Sequence, residues 1–501
     1  MSAKRTVSLL LHAHLPFGLR PELPVSLEEA WLFEATIDCY LPLLELISAE
    51  PGKKPRLAAS LSPTLLEQWS HHDFTDRFAA HLDRLAAILK RECSDQSLPK
   101  ERRELAEEML LRNAQLAAHF VRKWSANLSA AWGHLASEGK VELLTTAATH
   151  AFLPAHQNSP LTRRLQIQLG IERFTALTGI TPQGFWLPEC GYYPGLEYDL
   201  AEAGIQWFAV ENMNGSSVVR CPNDVTAIAR QGELSQKVWD AHSGYPGHAN
   251  YREFHQDAVH QLSHEQAGLY RLPDGGSLPL GLKYWRVTGK GEKDWYDPVV
   301  ARQQAETDAQ DFIESMARTP ESFIFLPFDA ELFGHWWHEG PYWLENVIQR
   351  ASQHPALTLA SPTDAISSLK DIPEGLPAAS TWGHRADYSF WINPETDWIY
   401  PLLANAGRKL KDAIARSESD PLRRRAVNQL ARELLLAQAS DWPFMLRAGA
   451  TAGYAEERLR RHLTRFQFLL NQLATEEIDA ETLHALEQLD PIQPNLDLQR
   501  F

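Results

Sequence analysis

Along the chain, short apolar runs rich in leucine and β-branched residues alternate with longer stretches of helical periodicity. The first run is "TVSLLLHAHLP", where Thr6 to Leu11 reads as a strand that ends in polar residues and a proline turn. The same pattern predicts strands near Val141 to Thr145, Gly184 to Leu187, Ile205 to Val210 and Ser322 to Leu326. Each follows a helical stretch, the alternation expected of a parallel α/β barrel or a doubly wound sheet. Between the first strands lies a long helical excursion, about residues 64–137, in which Leu105, Met109, Leu116 and Phe120 fall near one face of a charged helix. It reads as an inserted subdomain. Beyond about Leu376, "EGLPAASTWG" marks a linker, and the remainder is helical: Val427, Leu430, Ala431 and Leu434 share one face, as do Leu459, Leu463, Phe466 and Leu470. Residues 1–376 are thus expected to form an α/β unit and 377–501 an all-helical one.

With 501 residues, the chain can bury a large core and exceeds what one compact core usually covers. No apolar run approaches the roughly 20 residues that span a bilayer, and the N-terminal run is too short for a signal peptide. Cys39, Cys93, Cys190 and Cys221 are scattered without paired spacing. That pattern fits free thiols in a reducing cytoplasm. A net charge of −16 with no basic block makes nucleic acid a poor partner and a neutral substrate a better one. Sixteen tryptophans supply flat apolar faces with one polar edge, suited to stacking on sugar rings.

In parallel α/β folds, residues just past the carboxyl ends of strands line the active-site mouth. This selects His12 and His14, His150, Glu189, and Asp329, with Glu331 and His335 a little further on. Glu189 follows "GFWLP" and Asp329 follows "IFLPF", so two acids from different strands can face one another across a barrel mouth. Glycoside chemistry needs such a pair, one carboxylate to attack the anomeric carbon and one carboxyl to protonate the leaving oxygen. A lone strand-end acid is also a common helix cap or ion-pair partner. His12 and His14 admit a rival reading, since H-x-H closing a first strand ligates zinc in amidohydrolase barrels, and His150, Asp329 or His335 could complete such a set. The surrounding segments are enriched in tryptophan and tyrosine instead of further ligands.

Several stretches together resemble glycoside hydrolase family 57, and within it the α-1,4-glucan branching group. "LLLHAHLPF", "GKVELLTTAATHAFLP", "GFWLPECGYYP" and "FLPFDAELFGHWWHEG" are similar to four family motifs. "VWDAHSGYPGHANYREFHQD", "KYWRVTG", "STWGHRADYSFWINPETDWIY" and "NQLARELLLAQASDWPF" resemble segments of the branching group. The resemblance implies a (β/α)7 barrel with inserted helices and a C-terminal helical domain, acting on α-glucans such as amylose, amylopectin and glycogen without metal or cofactor. It implies that Glu189 is the nucleophile and Asp329 the general acid/base. His12, His14 and His150 would hold the sugar at the cleavage subsite, and Asp441 would enter the site from the helical domain. Trp239, Trp382 and Trp391 would line the glucan groove with Trp285 and Arg230 beside them, and His335 and Trp336 would also line the sugar site. Glu331 and Glu339 match no catalytic role and are expected to cap or orient, while Trp337 and Trp343 are as readily packing residues. One departure stands out: the segment between Tyr198 and Trp239 is short for a branching enzyme, leaving little chain for a covering loop. The alternatives are therefore an amylase-like hydrolase, a 4-α-glucanotransferase, and a glycan-binding protein without turnover.

Overall fold

The computed structural model describes the chain except residues 1–3, 21, 22, 24, 51–53, 55, 214, 271–275 and 417–419. Nine strands follow in order among the described residues: β1 (Arg5–Ala13), β2 (Leu57–Leu61), β3 (Glu142–Leu144), β4 (Gly184–Phe185), β5 (Trp207–Val210), β6 (Val218–Arg220), β7 (Thr226–Ala229), β8 (Phe323–Asp329) and β9 (Leu357–Leu359). One parallel sheet runs β3-β2-β1-β8, with β9 also on β1; a second runs β4-β5-β7-β6, in which only β6 is antiparallel. Two contacts join them into a ring. Thr145 bridges Phe185 in parallel, and the Gln231 N–H donates to the Phe325 carbonyl at 2.9 Å. The closed circuit β1-β2-β3-β4-β5-β7-β8 is a seven-stranded parallel barrel, with β6 and β9 outside it. The expected (β/α)7 architecture is what the chain adopts.

Alternation along each strand decides what faces the barrel axis. In β1, Val7, Leu9 and Leu11 pack outward with the surrounding helices, while Leu10 enters an inner cluster with Ala58, Leu144, Trp186, Trp207, Ile228 and Phe325. Two residues beyond Leu10, His12 therefore points inward at the strand's carboxyl end. Asp329 stands in the same phase as Phe323 and Phe325 on β8, and the β1–β8 register pairs it with His12. Gly184 makes room inside: a Cβ there would come within 2.3 Å of the Trp207 ring. The opposite end is closed by the helix Pro362–Ser368, where Thr363 Oγ1 accepts from Trp207 Nε1 at 2.9 Å and itself donates to Glu142.

The excursion after β2 contains the helices Phe74–Ser94 and Lys100–Arg122, which pack on one another. Leu105, Leu116 and Phe120 are buried there, with Met109 partly so, in the same core that holds the outer face of β1. These helices thicken the barrel wall instead of enclosing a core of their own. β2 itself was not predicted. Its run "LAASL" is small and serine-containing, weak in β-branched character, yet its outward Leu57, Ala59 and Leu61 are buried.

Five further helices, Ile399–Ile414, Pro421–Ala437, Asp441–Ala448, Ala452–Thr475 and Ala480–Leu489, enclose a second core. All four residues of the predicted face from Val427 to Leu434 lie in it, and Leu161, Leu165 and Leu169 of the helix Pro160–Thr178 extend it onto the barrel. Arg458 fastens the helices down, donating to Glu28 Oε1 at 2.6 Å and the Phe17 carbonyl at 3.0 Å. Both charges are buried, so removing the guanidinium would strand Glu28 and cost about 3 to 5 kcal/mol. No helix among the described residues is long and apolar enough to cross a membrane. The four cysteines are free.

Candidate active site

At the carboxyl ends of the strands, the three histidines singled out in the sequence stack together. The His14 and His150 rings lie 3.9 Å apart and those of His12 and His150 5.0 Å, all near parallel. Nitrogen contacts fix them: His12 Nε2 lies 2.9 Å from His150 Nε2, His12 Nδ1 3.2 Å from Ser60 Oγ, and His14 Nδ1 2.9 Å from Ser62 Oγ. Burial pushes the His12 and His150 imidazoles well below their usual range, and neighbouring His14 adds to the effect. Trp186 closes the stack from below, its ring 4.8 Å from His12.

Glu189 follows β4 with φ 62°, and its neighbours in the site, His150 at 55° and Cys190 at 51°, are also left-handed. Non-glycine residues held this way cost roughly 1 to 3 kcal/mol each, strain that gathers at sites where side-chain aim matters. The Glu189 carboxylate is gripped from two sides. Trp382 Nε1 donates to Oε2 at 2.9 Å, and Ser440 Oγ donates to Oε1 at 2.8 Å. Backbone bonds secure both donors: Trp382 N–H to the Glu189 carbonyl at 3.0 Å, and Ser440 N–H to the His150 carbonyl at 3.0 Å. Burial raises the Glu189 carboxyl above the ordinary range, the two hydrogen bonds pull it back, and the charge of Asp441 raises it again.

Asp329 has a different environment. Burial, then the charges of Glu331 and Glu189, push its carboxyl well above the usual range, with Arg230 alone opposing. Among the described residues no hydrogen bond holds its ionised form, whereas two hold that of Glu189. Burial raises both carboxyls, but hydrogen bonds favour the anion at Glu189 while the Glu189 charge adds to what keeps the proton on Asp329. This is the division of labour that acid-assisted nucleophilic attack on a glycosidic carbon requires.

Asp441, first residue of its helix, places Oδ2 3.1 Å from His14 Nε2, so the helical region reaches the barrel mouth. Arg230 forms a two-pronged pair with Glu211, at 2.6 and 2.8 Å, behind Asp329. Trp239 and Trp336 are 50% and 44% exposed with ring centres 6.3 Å apart, an open aromatic pair.

Three predicted lining residues are placed otherwise. Trp391 is 1% exposed and stacked on Phe152 at 5.1 Å, so it packs behind the wall. His335 is buried with Nδ1 3.6 Å from Glu34 and its ring against Phe254, beside the ion pair of Glu34 and Lys283. Trp285 is stacked on Trp295 at 4.2 Å and makes no ring contact with the histidines, Glu189 or Asp329. As expected of non-catalytic neighbours, Glu331 accepts from the His14 N–H, Glu339 accepts from the Arg252 N–H, and Trp337 and Trp343 are buried. Sequence reading missed Ser60, Ser62, Trp186, Tyr40 and Ser440. Ser440 lies beside the predicted Asp441, Trp186 lies in the predicted strand that leads to Glu189, and Ser60 and Ser62 follow from the alternation of β2 once that strand is recognised.

Residues 8–376 match the model of glycosyl hydrolase family 57. The chain belongs to that family. Residues 402–501 of this family 57 chain match the C-terminal region of 1,4-alpha-glucan branching enzymes. A 1,4-alpha-glucan branching enzyme of Thermococcus kodakarensis is 30% identical, the match covering 98% of this chain and 78% of that one. A probable branching enzyme of Mycobacterium tuberculosis is 30% identical over 91% of this chain and 90% of the other. Among solved structures, the alpha-amylase AmyC of Thermotoga maritima superimposes with a TM-score of 0.91 at 32% identity, covering 99% and 98% of the two chains. The family 57 branching enzyme of Pyrococcus horikoshii gives 0.86 at 29%, covering 99% and 96%.

Proposed function

We propose that this chain is a retaining 1,4-α-glucan branching enzyme. Glu189 attacks the anomeric carbon of an α-1,4 linkage while Asp329 gives its proton to the departing 4-oxygen, leaving the glucosyl chain as an ester on Glu189. Asp329, now ionised, takes the proton of an incoming glucan 6-hydroxyl as that oxygen displaces Glu189, which forms an α-1,6 branch. His12, His14, His150 and Asp441 hold the sugar at the cleaved bond, and Trp239, Trp336 and Trp382 receive the flanking glucan. The carboxyls carry the chemistry without a cofactor. The observation that carries the reading is the grip on Glu189 by Trp382 and Ser440, which favours its anion beside an Asp329 that favours its proton. Amylose, amylopectin or glycogen would be the substrate and glycogen synthesis in the cytoplasm the setting, in keeping with the acidic surface and the free thiols. On this reading residues 1–376 form the catalytic unit, with the helices of about 64–137 inserted, and residues 377–501 complete the site.

One observation favours a second reading, hydrolysis of the same intermediate by water. More than half of the segment from Tyr198 to Trp239 lies in the end of the helix Leu196–Glu202, β5, β6, β7 and the helix Gly232–Trp239, so only short connections remain there to cover the site. The near end-to-end likeness to an α-amylase points the same way. Exclusion of water helps decide the acceptor. Incubation with amylose, then debranching and chain-length profiling alongside a reducing-end assay, tests the choice. New α-1,6 linkages outnumbering released reducing ends are expected; reducing ends without branches would replace branching by hydrolysis.

A further inference from the structure

Glu331 lies just past β8, in the 3-10 turn Ala330–Leu332, and is buried although the chemistry above does not use it. Its Oε1 accepts from the His14 N–H at 3.0 Å and from the Tyr40 hydroxyl. One carboxylate oxygen thereby joins the end of β8 to the end of β1, where His14 stacks on His150 and meets Asp441. The segment that supplies Tyr40 is pinned to the same turn: Cys39 Sγ donates to the Ala330 carbonyl at 3.0 Å. Gly334, at φ 108°, brings its backbone so close that a Cβ would lie 1.9 Å from the Asp38 carbonyl oxygen. Glu331 is thus held on fixed backbone two residues from Asp329.

We propose that Glu331 is a positioning residue for the acid/base step: it fixes His14 through its backbone and stands as a buried carboxylate, tethered by Tyr40, two residues from Asp329. This rests on the reading of Asp329 as the acid/base. The groups that face Glu331 are His14 just past β1, Cys39 and Tyr40 from the helical segment Thr36–Tyr40, and Asp329 from β8. Those that face Asp329 are Glu331, Glu189, Cys190, Tyr40 and Arg230. After burial itself, the Glu331 charge is the largest influence raising the Asp329 carboxyl. Burial also carries Glu331 up to about 7, with the Tyr40 and His14 hydrogen bonds opposing. A negative neighbour disfavours a second negative charge, so Asp329 keeps its proton into the pH range where Glu331 is already ionised. Glu331 accordingly works where an acid catalyst is most at risk of losing its proton.

Two substitutions separate charge from geometry. Glu331→Gln retains an acceptor oxygen for His14 and Tyr40 but removes the charge, and Glu331→Asp retains the charge on a shorter arm. The readout is the pH profile of kcat/KM for amylose consumption followed by loss of iodine binding, which registers cleavage whether the acceptor is glucan or water. Glu331→Gln should move the alkaline limb to lower pH by about one unit, a roughly tenfold loss on the falling side and a small change near pH 6. Glu331→Asp should lower kcat while leaving that limb in place. An unmoved limb in the Gln variant, or the same displacement in both, overturns the proposal. Turnover by Asp329→Asn would overturn the acid/base reading instead, so the two failures are told apart. Thermal unfolding of each variant confirms that folded protein is compared.

Discussion

His14 and Asp441 touch at 3.1 Å although 427 positions of sequence separate them. The first stands just past the first strand of the barrel; the second opens a helix of the C-terminal bundle. Their contact, with the neighbouring bond from Ser440 to Glu189, makes the bundle a wall of the site and not an appended module. Because Arg458 of the same bundle is fastened to Glu28 and the Phe17 carbonyl, the wall is held by buried charge at its far side as well.

Asp441→Asn should lower kcat/KM by about ten- to a hundredfold without unfolding the protein, since the amide keeps one acceptor for His14 but loses charge assistance. The Asp441 charge also raises the Glu189 carboxyl. Its removal lets Glu189 ionise more easily, so the acidic limb of the kcat/KM profile should move to lower pH. A limb that stays in place would show that Asp441 does not act on Glu189.

Trp382→Phe should move the same limb the other way. The indole N–H donates to Glu189 Oε2 at 2.9 Å, and hydrogen bonds to charged groups contribute about 1.5 to 3 kcal/mol. Losing one destabilises the carboxylate and raises its pKa, so the acidic limb climbs and kcat/KM falls roughly tenfold or more. The opposite signs expected at Trp382 and Asp441 make the pair more informative than either variant alone.

Much of this site was legible in the sequence because the barrel fixes chemistry by phase. Once "SLLLHAH" and "FIFLPFD" are read as strands, alternation alone brings His12 and Asp329 to the same inner mouth. What could not be read was long-range packing. His335 sits in an attractive motif beside Trp336, yet it is buried with its ring against Phe254 and beside the ion pair of Glu34 and Lys283, partners distant in sequence. Trp391 likewise matches a lining position, but Phe152 offers it a stacking face behind the wall. Ser60 and Ser62 stayed hidden because β2 is built of small residues whose burial comes from helices elsewhere in the chain, and no local propensity marks them.

Trp239→Ala and Trp336→Ala should each raise KM for long glucans several-fold while leaving kcat within about twofold. Both rings are largely exposed, so their loss opens no cavity and the thermal midpoint should hardly move. A several-fold rise in KM corresponds to about 1 kcal/mol of lost binding. Short substrates that do not reach the pair should be indifferent to either change, and equal effects on short and long chains would remove the pair from the groove.

Acid stability offers a check on the buried histidines away from the site. His81 and His156 are both buried, and burial pushes each imidazole down to about 4 from 6.5. A depressed folded value means that protonation favours the unfolded chain. Their contribution is therefore complete above pH 6.5 and is lost as the pH falls toward 4, on the order of 3 kcal/mol each at about 1.4 kcal/mol per unit. The buried carboxyls of the site act in the opposite sense, because Glu331 and Asp329 prefer their protons in the folded state. A single melting curve against pH mixes the two, whereas comparison with His156→Leu isolates one of them. The variant removes a ring whose Nδ1 has only a long 3.5 Å contact with Gln438, so its cost at pH 7.5 should be modest. Between pH 6.5 and 4 its midpoint should fall less steeply than that of the native chain. Parallel curves would mean that His156 is protonated at the same pH in both states, and burial would then not be what governs it.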